Sequence, residues 1–140
     1  MTSILGISAF YHDSAAALIL DGEIIAAAQE ERFSRKKHDP SYPFNAVKYV
    51  LKQANLELSN VDHIVFFEKP FLKFERILET YMAFAPRGFK SFSLSMPIWL
   101  REKLFQKKFL YEKLKSHDEN FNDINKIKFS EHHYSHAASA

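Results

Sequence analysis

The chain has 140 residues, of which 46% are hydrophobic and 26% are charged, a mixture that is typical of a globular domain and excludes a disordered or collagen-like chain. It contains no cysteine, so a disulfide framework, a thiol nucleophile and a thiolate metal site are excluded as well. Nineteen basic and seventeen acidic residues give a net charge of +2, too balanced to indicate a nucleic-acid or membrane partner. Because neither an export signal nor a long apolar run is visible, we expect a single cytoplasmic domain.

Three short apolar runs open the chain and predict three strands, at residues 4–8, 15–20 and 23–28. Asp21 and Gly22 separate the second run from the third. An Asp-Gly pair in this position is a strong signal for a two-residue hairpin turn, because both central residues of such a turn need a positive φ. We therefore expect the sheet to begin with antiparallel strands.

A change of composition follows the third strand. Residues 29–42 are rich in charge and are punctuated by Pro40 and by Pro43 directly after them, which predicts an exposed loop. Residues 44–55 then place apolar side chains at helical spacing, and residues 61–67 return to a β-rich run. A helix that leads into a strand is an α/β step.

Two aromatic-rich amphipathic helices are predicted next, one over residues 71–84 and one that begins near Pro97 and extends to Leu114. A helix that binds a membrane surface or a partner has the same pattern, but packing within the fold is the commoner cause and is favoured here. We expect the apolar stripes of the first two helices to cover the opening sheet. These stripes are Val47, Val50 and Leu51 on the first helix and Phe74, Ile77, Leu78 and Tyr81 on the second.

The end of the chain predicts a loop at residues 116–125, a strand at 126–129 and the start of a helix at 131–140. The sequence stops at Ala140 inside a run of small residues, with no glycine, proline or polar closure after it. This pattern is typical of a truncated domain. A truncated domain exposes apolar surface, so self-association of the 140-residue chain is expected.

His132 and His136 are the sharpest candidates for chemistry. In a helix they lie one turn apart on the same face, where two imidazoles can chelate one divalent metal, while His133 points elsewhere. No glutamate follows His132, which disfavours a zinc protease. Two ligands are too few for a complete site, so a polar helix start without metal stays open as the alternative.

Two further segments have polar groups that could act in catalysis or binding. His12, in the connection after the first strand, could serve as an acid or base near neutral pH, although Asp13 and Ser14 could simply shape a turn around a solvated histidine. The basic residues between Arg32 and His38 could hold phosphate or carboxylate groups, or they could be a solvated loop. Neither familiar glycine-rich phosphate loop is present.

Taken together, two long motifs resemble one known family. They are ILGISAFYHDSAAALILDGEIIAAAQEERFSRKKHD at residues 4–39 and EHHYSHAASA at residues 131–140. Both are similar to the N-terminal part of the O-carbamoyltransferases of the nodulation-protein and antibiotic-tailoring type. The resemblance covers nearly the whole chain, and the aromatic helices between the motifs are its variable part.

The resemblance implies an α/β fold of the actin and sugar-kinase superfamily, which is ribonuclease H-like, with a mixed sheet, flanking helices and the remaining half absent. It implies a transferase that uses ATP and carbamoyl phosphate to form a carbamoyl-adenylate, usually in a separate YrdC-like domain. The carbamoyl group then passes to a hydroxyl of a sugar or related natural product. The partner is therefore a small-molecule acceptor, and no nucleic-acid or membrane partner is implied.

The resemblance also implies roles for individual residues. His132 and His136 match the family's two metal-binding histidines, and iron is the metal most often associated with them. His12 and Lys37 match catalytic groups beside the transferred carbamoyl group. The residues that lie in matching motifs and are assigned to substrate binding are Asp13, Arg32 and Lys36.

Two other interpretations stay open. A module of the same superfamily could bind a nucleotide or a partner without catalysis, and His132 and His136 would then be structural. A small-molecule kinase would share the opening hairpin, but it would have no obvious use for the paired histidines. Carbamoyl phosphate dependence distinguishes the kinase from a carbamoyltransferase, and metal analysis tests the non-catalytic module.

Overall fold

The computed structural model describes residues 1–68 and 70–138, and it contains five strands and six helices within them. The strands are β1 (Ser3–Ser8), β2 (Ala15–Leu20), β3 (Glu23–Gln29), β4 (His63–Phe66) and β5 (Ile127–Phe129). The helices are α1 (Glu31–Ser34), α2 (Phe44–Gln53), α3 (Pro70–Phe84), α4 (Phe89–Leu104), α5 (Gln106–His117) and α6 (His132–Ala138). Short 3-10 turns precede β4 and β5, at Leu58–Asn60 and Ile124–Lys126.

The five strands form one mixed sheet in the order β3-β2-β1-β4-β5. The pairs β1–β2 and β2–β3 are antiparallel, whereas β1–β4 and β4–β5 are parallel. Asp21 and Gly22 have φ angles of 50° and 90°, as the predicted hairpin turn requires. This strand order and these directions confirm the expected α/β fold with a mixed sheet and flanking helices.

One face of the sheet carries the hydrophobic core. Alternate residues along β1 and β2 point to this face, which is covered by α2 and α5. The predicted stripe of α2 is buried there. The fully buried residues of the core include Leu5, Leu18, Val47, Val50, Ile64, Phe66, Leu110, Leu114 and Ile127.

The opposite face of the sheet is open and is built mostly of small side chains. Gly6, Ala17 and Ala27 line an open groove on this face, and Ile24 at the start of β3 is 73% exposed. The predicted self-association through exposed apolar surface stays a prediction.

The expectation that the second helix covers the sheet is wrong. Helix α3 packs against α4 as a hairpin, with the rings of Tyr81 and Phe92 stacked at 4.0 Å. Ile77, Leu78 and Tyr81 do not belong to the buried core, and Leu78 is 36% exposed; the side chain of Phe74 lies outside the described part. The aromatic side chains of α3 pack against those of α4 instead of the sheet. Helical periodicity shows that a face is apolar but does not show which surface it packs against.

The predicted helix that begins near Pro97 is also corrected, because two helices occupy this region. Helix α4 begins at Phe89, directly after Gly88 with its φ of 80°, and contains Pro97 in its interior. It ends before Phe105, and α5 continues to His117. The expectation of core packing is confirmed for Leu110 and Leu114 of α5, which are fully buried. Over the described residues, no helix combines the length and apolar character needed to cross a bilayer.

Candidate active site

The carboxyl ends of four strands meet at one edge of the sheet. Strands β1, β4 and β5 are parallel, and β3 runs in the same direction because it is antiparallel to β2, which is antiparallel to β1. The segments that follow these strands therefore emerge together. They carry every candidate residue of the sequence analysis: His12 and Asp13 after β1, Arg32, Lys36 and Lys37 after β3, and His132 and His136 after β5.

The connection after β1 brings His12 and Asp13 into contact. The Nδ1 atom of His12 lies 2.9 Å from Oδ2 of Asp13, and the second oxygen, Oδ1, lies 2.7 Å from Nδ1 of His38. The hydrogen bond from His38, and to a lesser degree that from His12, lowers the pKa of the Asp13 carboxyl below its usual range. Sequence analysis did not single out His38, because 25 residues separate it from Asp13 and no local spacing connects the two.

The charged segment after β3 was predicted to be an exposed loop, and this expectation is only partly right. It begins with the short helix α1, and two of its acidic residues are buried: Glu30 at 3% exposure and Asp39 at 5%. The carboxylate of Glu30 accepts hydrogen bonds from the backbone N–H groups of Asn45 and Ala46 and from the Asn45 amide. Buried carboxylates are tolerated here because they bind N–H groups that would otherwise lack partners.

Asp39 fastens this segment to the connection after β1. Its backbone carbonyl accepts a hydrogen bond from the N–H of Ser14, and the carbonyl of Pro40 accepts one from the N–H of Phe10. Its carboxylate accepts hydrogen bonds from the N–H and the hydroxyl of Ser41. The Ser41 hydroxyl, followed by its backbone N–H, lowers the pKa of the Asp39 carboxyl to about 2.

We expect the stability contributed by Asp39 to disappear in acid. The pKa of Asp39 is lower in the folded chain than its ordinary 3.8, so the stabilisation is complete above about pH 5 and is lost as the pH falls toward 2. Urea unfolding at several pH values measures this loss. The variant Asp39→Asn should lose less stability than the wild type between pH 5 and 2, and equal losses in the two proteins would contradict the assignment.

Arg32, Lys36 and Lys37 supply positive charge at the same edge. Arg32 lines the open groove of about 680 Å³ on the uncovered face of the sheet, together with Phe67, Ser130 and Ser135. Lys36 and Lys37 are exposed, and Lys37 directly precedes His38. Arg32 therefore lines the same groove as Ser135 of helix α6. Lys37 is adjacent in sequence to His38, which contacts Asp13.

The predicted histidine pair occupies the first two turns of α6. The Nε2 atoms of His132 and His136 are 3.2 Å apart. Two nitrogens that each lie about 2.1 Å from one ion at an angle near 100° are about 3.2 Å apart, so this pair fits a shared divalent metal. The Nδ1 atom of His132 is buried with no hydrogen-bond partner, and its ring packs against Phe67 at 5.5 Å. The Nε2 atom of His132 is the one that faces His136.

Serine contacts fix the position of α6 relative to the sheet. The hydroxyl of Ser135 is hydrogen-bonded to that of Ser130, the residue directly after β5, at 2.9 Å. The backbone N–H of Ser130 also donates to the carbonyl of Phe66 in β4. Because strands β1 and β5 are separated only by β4, their ends lie about 10 Å apart. The segments that carry the histidine pair and the His12–Asp13 contact thus start from the same end of the sheet.

A third group of possible ligand atoms lies at this edge. One atom each from Asp13, Glu31 and His38 lie within 4.8 Å of one another. Hydrogen bonds explain this proximity, because His38 donates its backbone N–H to Glu31 and contacts Asp13 through its ring. We therefore interpret these three residues as a bracing network.

Comparisons with known proteins assign the chain to a family. The family model described as "Carbamoyltransferase N-terminus" matches residues 3–140. The chain is 57% identical over 141 residues to the uncharacterized protein sll1178 of Synechocystis. This alignment covers 100% of this chain and 23% of that protein. It is 34% identical over 134 residues to the nodulation protein NolNO of Sinorhizobium fredii, covering 94% of this chain and 17% of that protein.

The chain thus spans less than a quarter of the length of these two relatives. Among solved structures, YeaZ from Pseudomonas aeruginosa is similar with a TM-score of 0.37 and 22% identity, over 50% of this chain and 31% of that one. The fold assignment rests on the strand order described above. Since the family match extends over almost every residue, the chain belongs to the carbamoyltransferase family and corresponds to its N-terminal region.

Proposed function

We propose that the full-length protein is an ATP-dependent O-carbamoyltransferase. It takes the carbamoyl group of carbamoyl phosphate through a carbamoyl-adenylate and transfers it to a hydroxyl of a sugar or related natural product. The observation that supports this proposal best is the meeting, at one edge of the sheet, of an exposed histidine and a pair of imidazole nitrogens at chelating distance. Membership of the carbamoyltransferase family supports it independently.

His12 is the proposed base. Its side chain is 61% exposed, so a substrate hydroxyl can reach the ring. Attack of a hydroxyl on an activated acyl group requires removal of the hydroxyl proton, and histidine performs this step near neutral pH. The imidazole of His12 therefore accepts the proton as the new C–O bond forms.

We propose that three basic residues stabilise the negative charge of the reaction: Arg32, Lys36 and Lys37. The reaction develops charge on the carbamoyl oxygen and releases a phosphate group, and fixed cations stabilise both. Lys37 is proposed to act beside the transferred carbamoyl group. Arg32 and Lys36 are proposed to contact substrate, and Arg32 suits phosphate because its guanidinium can donate two parallel hydrogen bonds. The resemblance also implies a substrate-binding role for Asp13, but its contacts with His12 and His38 favour a role through His12.

His132 and His136 are the proposed ligands of a divalent metal, with iron as the first candidate from the family resemblance. Their nitrogen separation fits such an ion, and neutral imidazoles bind first-row divalent metals well. When bound, the metal supplies positive charge that orients a phosphate group. Two imidazoles leave coordination positions open, so the 140-residue chain alone should hold the ion weakly.

The test is product analysis with the full-length protein. Incubated with ATP, carbamoyl phosphate and a panel of hydroxyl compounds, it should form a carbamate ester that mass spectrometry detects, and the product should vanish without carbamoyl phosphate. The 140-residue chain alone should form none, because family resemblance implies that the nucleotide contacts and adenylate-forming domain lie elsewhere. A phosphorylated acceptor with ADP would show a kinase, and no product with any acceptor would favour a non-catalytic module.

A further inference from the structure

The carboxylate of Asp13 lies between two imidazoles, and each of its oxygens contacts one of them. Oδ2 is 2.9 Å from Nδ1 of His12, and Oδ1 is 2.7 Å from Nδ1 of His38. An ionised carboxylate can only accept hydrogen bonds. Both Nδ1 atoms must therefore carry the proton that they share with Asp13, and neutral His12 has its lone pair on Nε2.

The backbone prepares this arrangement. Asp13 and His38 both have positive φ angles, 47° and 54°, in the left-handed region that most side chains avoid. The backbone N–H of His38 donates to a carboxylate oxygen of Glu31 at 3.1 Å. The hydrogen bonds of Asp39 and Pro40 to the connection after β1 bring the two segments together. His38 and Asp13 are thus held in place by contacts that do not involve His12.

The energetic contribution of these contacts to folding is small. The side chains of His12 and His38 are 61% and 62% exposed, and that of Asp13 is 35% exposed, so water screens the attraction. A hydrogen bond that contributes little stability can still fix the tautomer and the direction of an imidazole. In serine proteases, where a buried aspartate plays this part, its replacement by asparagine lowers kcat by about four orders of magnitude.

We propose that Asp13 is a positioning residue for His12, with His38 holding the second carboxylate oxygen. This inference rests on the proposed function, in which His12 is the base. Asp13 keeps the proton of neutral His12 on Nδ1 and presents Nε2 to the acceptor hydroxyl. The hydroxyl proton passes to Nε2 as the hydroxyl oxygen bonds to the carbamoyl carbon.

The rest of the step balances as follows. The bond from the carbamoyl carbon to the phosphate oxygen of the carbamoyl-adenylate breaks, and AMP leaves with that electron pair. The products are the carbamate ester, AMP and a proton on His12, which is released to water. During the step Asp13 stabilises the imidazolium through the contact it already makes.

A double-mutant cycle in the full-length protein tests this proposal. Asparagine tolerates a positive φ, so Asp13→Asn should fold. Because the network is more exposed than the protease triad, kcat should fall about 100-fold and KM for the acceptor should change less than about 3-fold. In the background of His12→Ala, adding Asp13→Asn should change kcat less than about 3-fold, since Asp13 acts through His12.

The control is Asp21→Asn. Asp21 also has a positive φ, 50°, but it lies in the turn after β2 at the opposite edge of the sheet, so its variant should keep the wild-type kcat. An Asp13→Asn variant with unchanged kcat would overturn the proposal. So would an equal loss of kcat in the wild-type and His12→Ala backgrounds, because Asp13 would then act on substrate directly.

Nitrogen NMR of the 140-residue chain separates failure of this inference from failure of the proposed function. His12 should show a protonated Nδ1 and an unprotonated Nε2 when neutral, and Asp13→Asn should change this ratio. A tautomer that Asp13→Asn leaves unchanged would overturn the positioning role whatever the reaction. If the tautomer responds but wild-type protein transfers no carbamoyl group, the proposed function fails instead, and the catalytic role fails with it.

Discussion

Replacing Glu30 with glutamine should lower the free energy of unfolding by about 3 kcal/mol. The buried carboxylate of Glu30 accepts hydrogen bonds from the N–H groups of Asn45 and Ala46 in the first turn of α2. Pro43, which precedes this helix, provides no side-chain cap. Both carboxylate oxygens of Glu30 accept hydrogen bonds, but a glutamine has one oxygen and one NH₂ group. The NH₂ group would face a backbone N–H of α2, and that buried donor would have no acceptor. The loss of negative charge at the positive end of the helix adds to the cost.

Urea unfolding of the 140-residue chain, followed by circular dichroism, measures this change. Glu23→Gln provides the matched control, because Glu23 is exposed at the start of β3 and should change stability by less than about 0.5 kcal/mol. Equal effects of the two substitutions would show that Glu30 does not cap α2.

Replacing either His132 or His136 with alanine should weaken metal binding by the full-length protein at least about 100-fold. The nitrogens lie at a separation that suits one ion, so each substitution removes a direct ligand and ends the chelate. Loss of a group that only orients a metal ligand lowers metal affinity by roughly 10- to 100-fold. Loss of the ligand itself should therefore cost at least about the upper end of that range. Titration calorimetry with Co²⁺ and elemental analysis of the purified protein measure the change.

His133→Ala is the control for the histidine pair. The ring of His133 meets that of His132 edge-on at 5.6 Å, and it is exposed in the same helix turn. This variant should keep its metal. Stoichiometric metal in the double variant His132→Ala/His136→Ala would show that the ligands lie elsewhere in the protein.

The parts of the fold that depend on local patterns were predicted well from the sequence. The Asp21-Gly22 turn has a direct backbone requirement, and the stripe of α2 packs against the strands β2 and β3 that precede it. The edge that holds the candidate residues also follows from strand order once β1, β4 and β5 are known to be parallel. For the turn and the stripe, one short segment contains the whole signal.

The parts that depend on distant partners were not predictable in this way. Glu30 is buried because α2 begins 14 residues later and exposes N–H groups beside it. His38 belongs to the site because the segment around Pro40 pairs with the connection after β1. The aromatic stripe of α3 meets α4 instead of the sheet. In each case the contact joins two segments that are distant in sequence, and the spacing of residues within one segment does not predict where the other lies.

The claim that one edge of the sheet forms one site is tested most directly by paramagnetic NMR. Cu²⁺ added to the 140-residue chain should bind at His132 and His136 and broaden the ring signals of His12 and His38. His63, at the opposite end of β4, should stay sharp. The broadening should disappear in the variant His132→Ala/His136→Ala. If His12 stays as sharp as His63, or if its broadening survives in the double variant, the two histidine groups do not share a site.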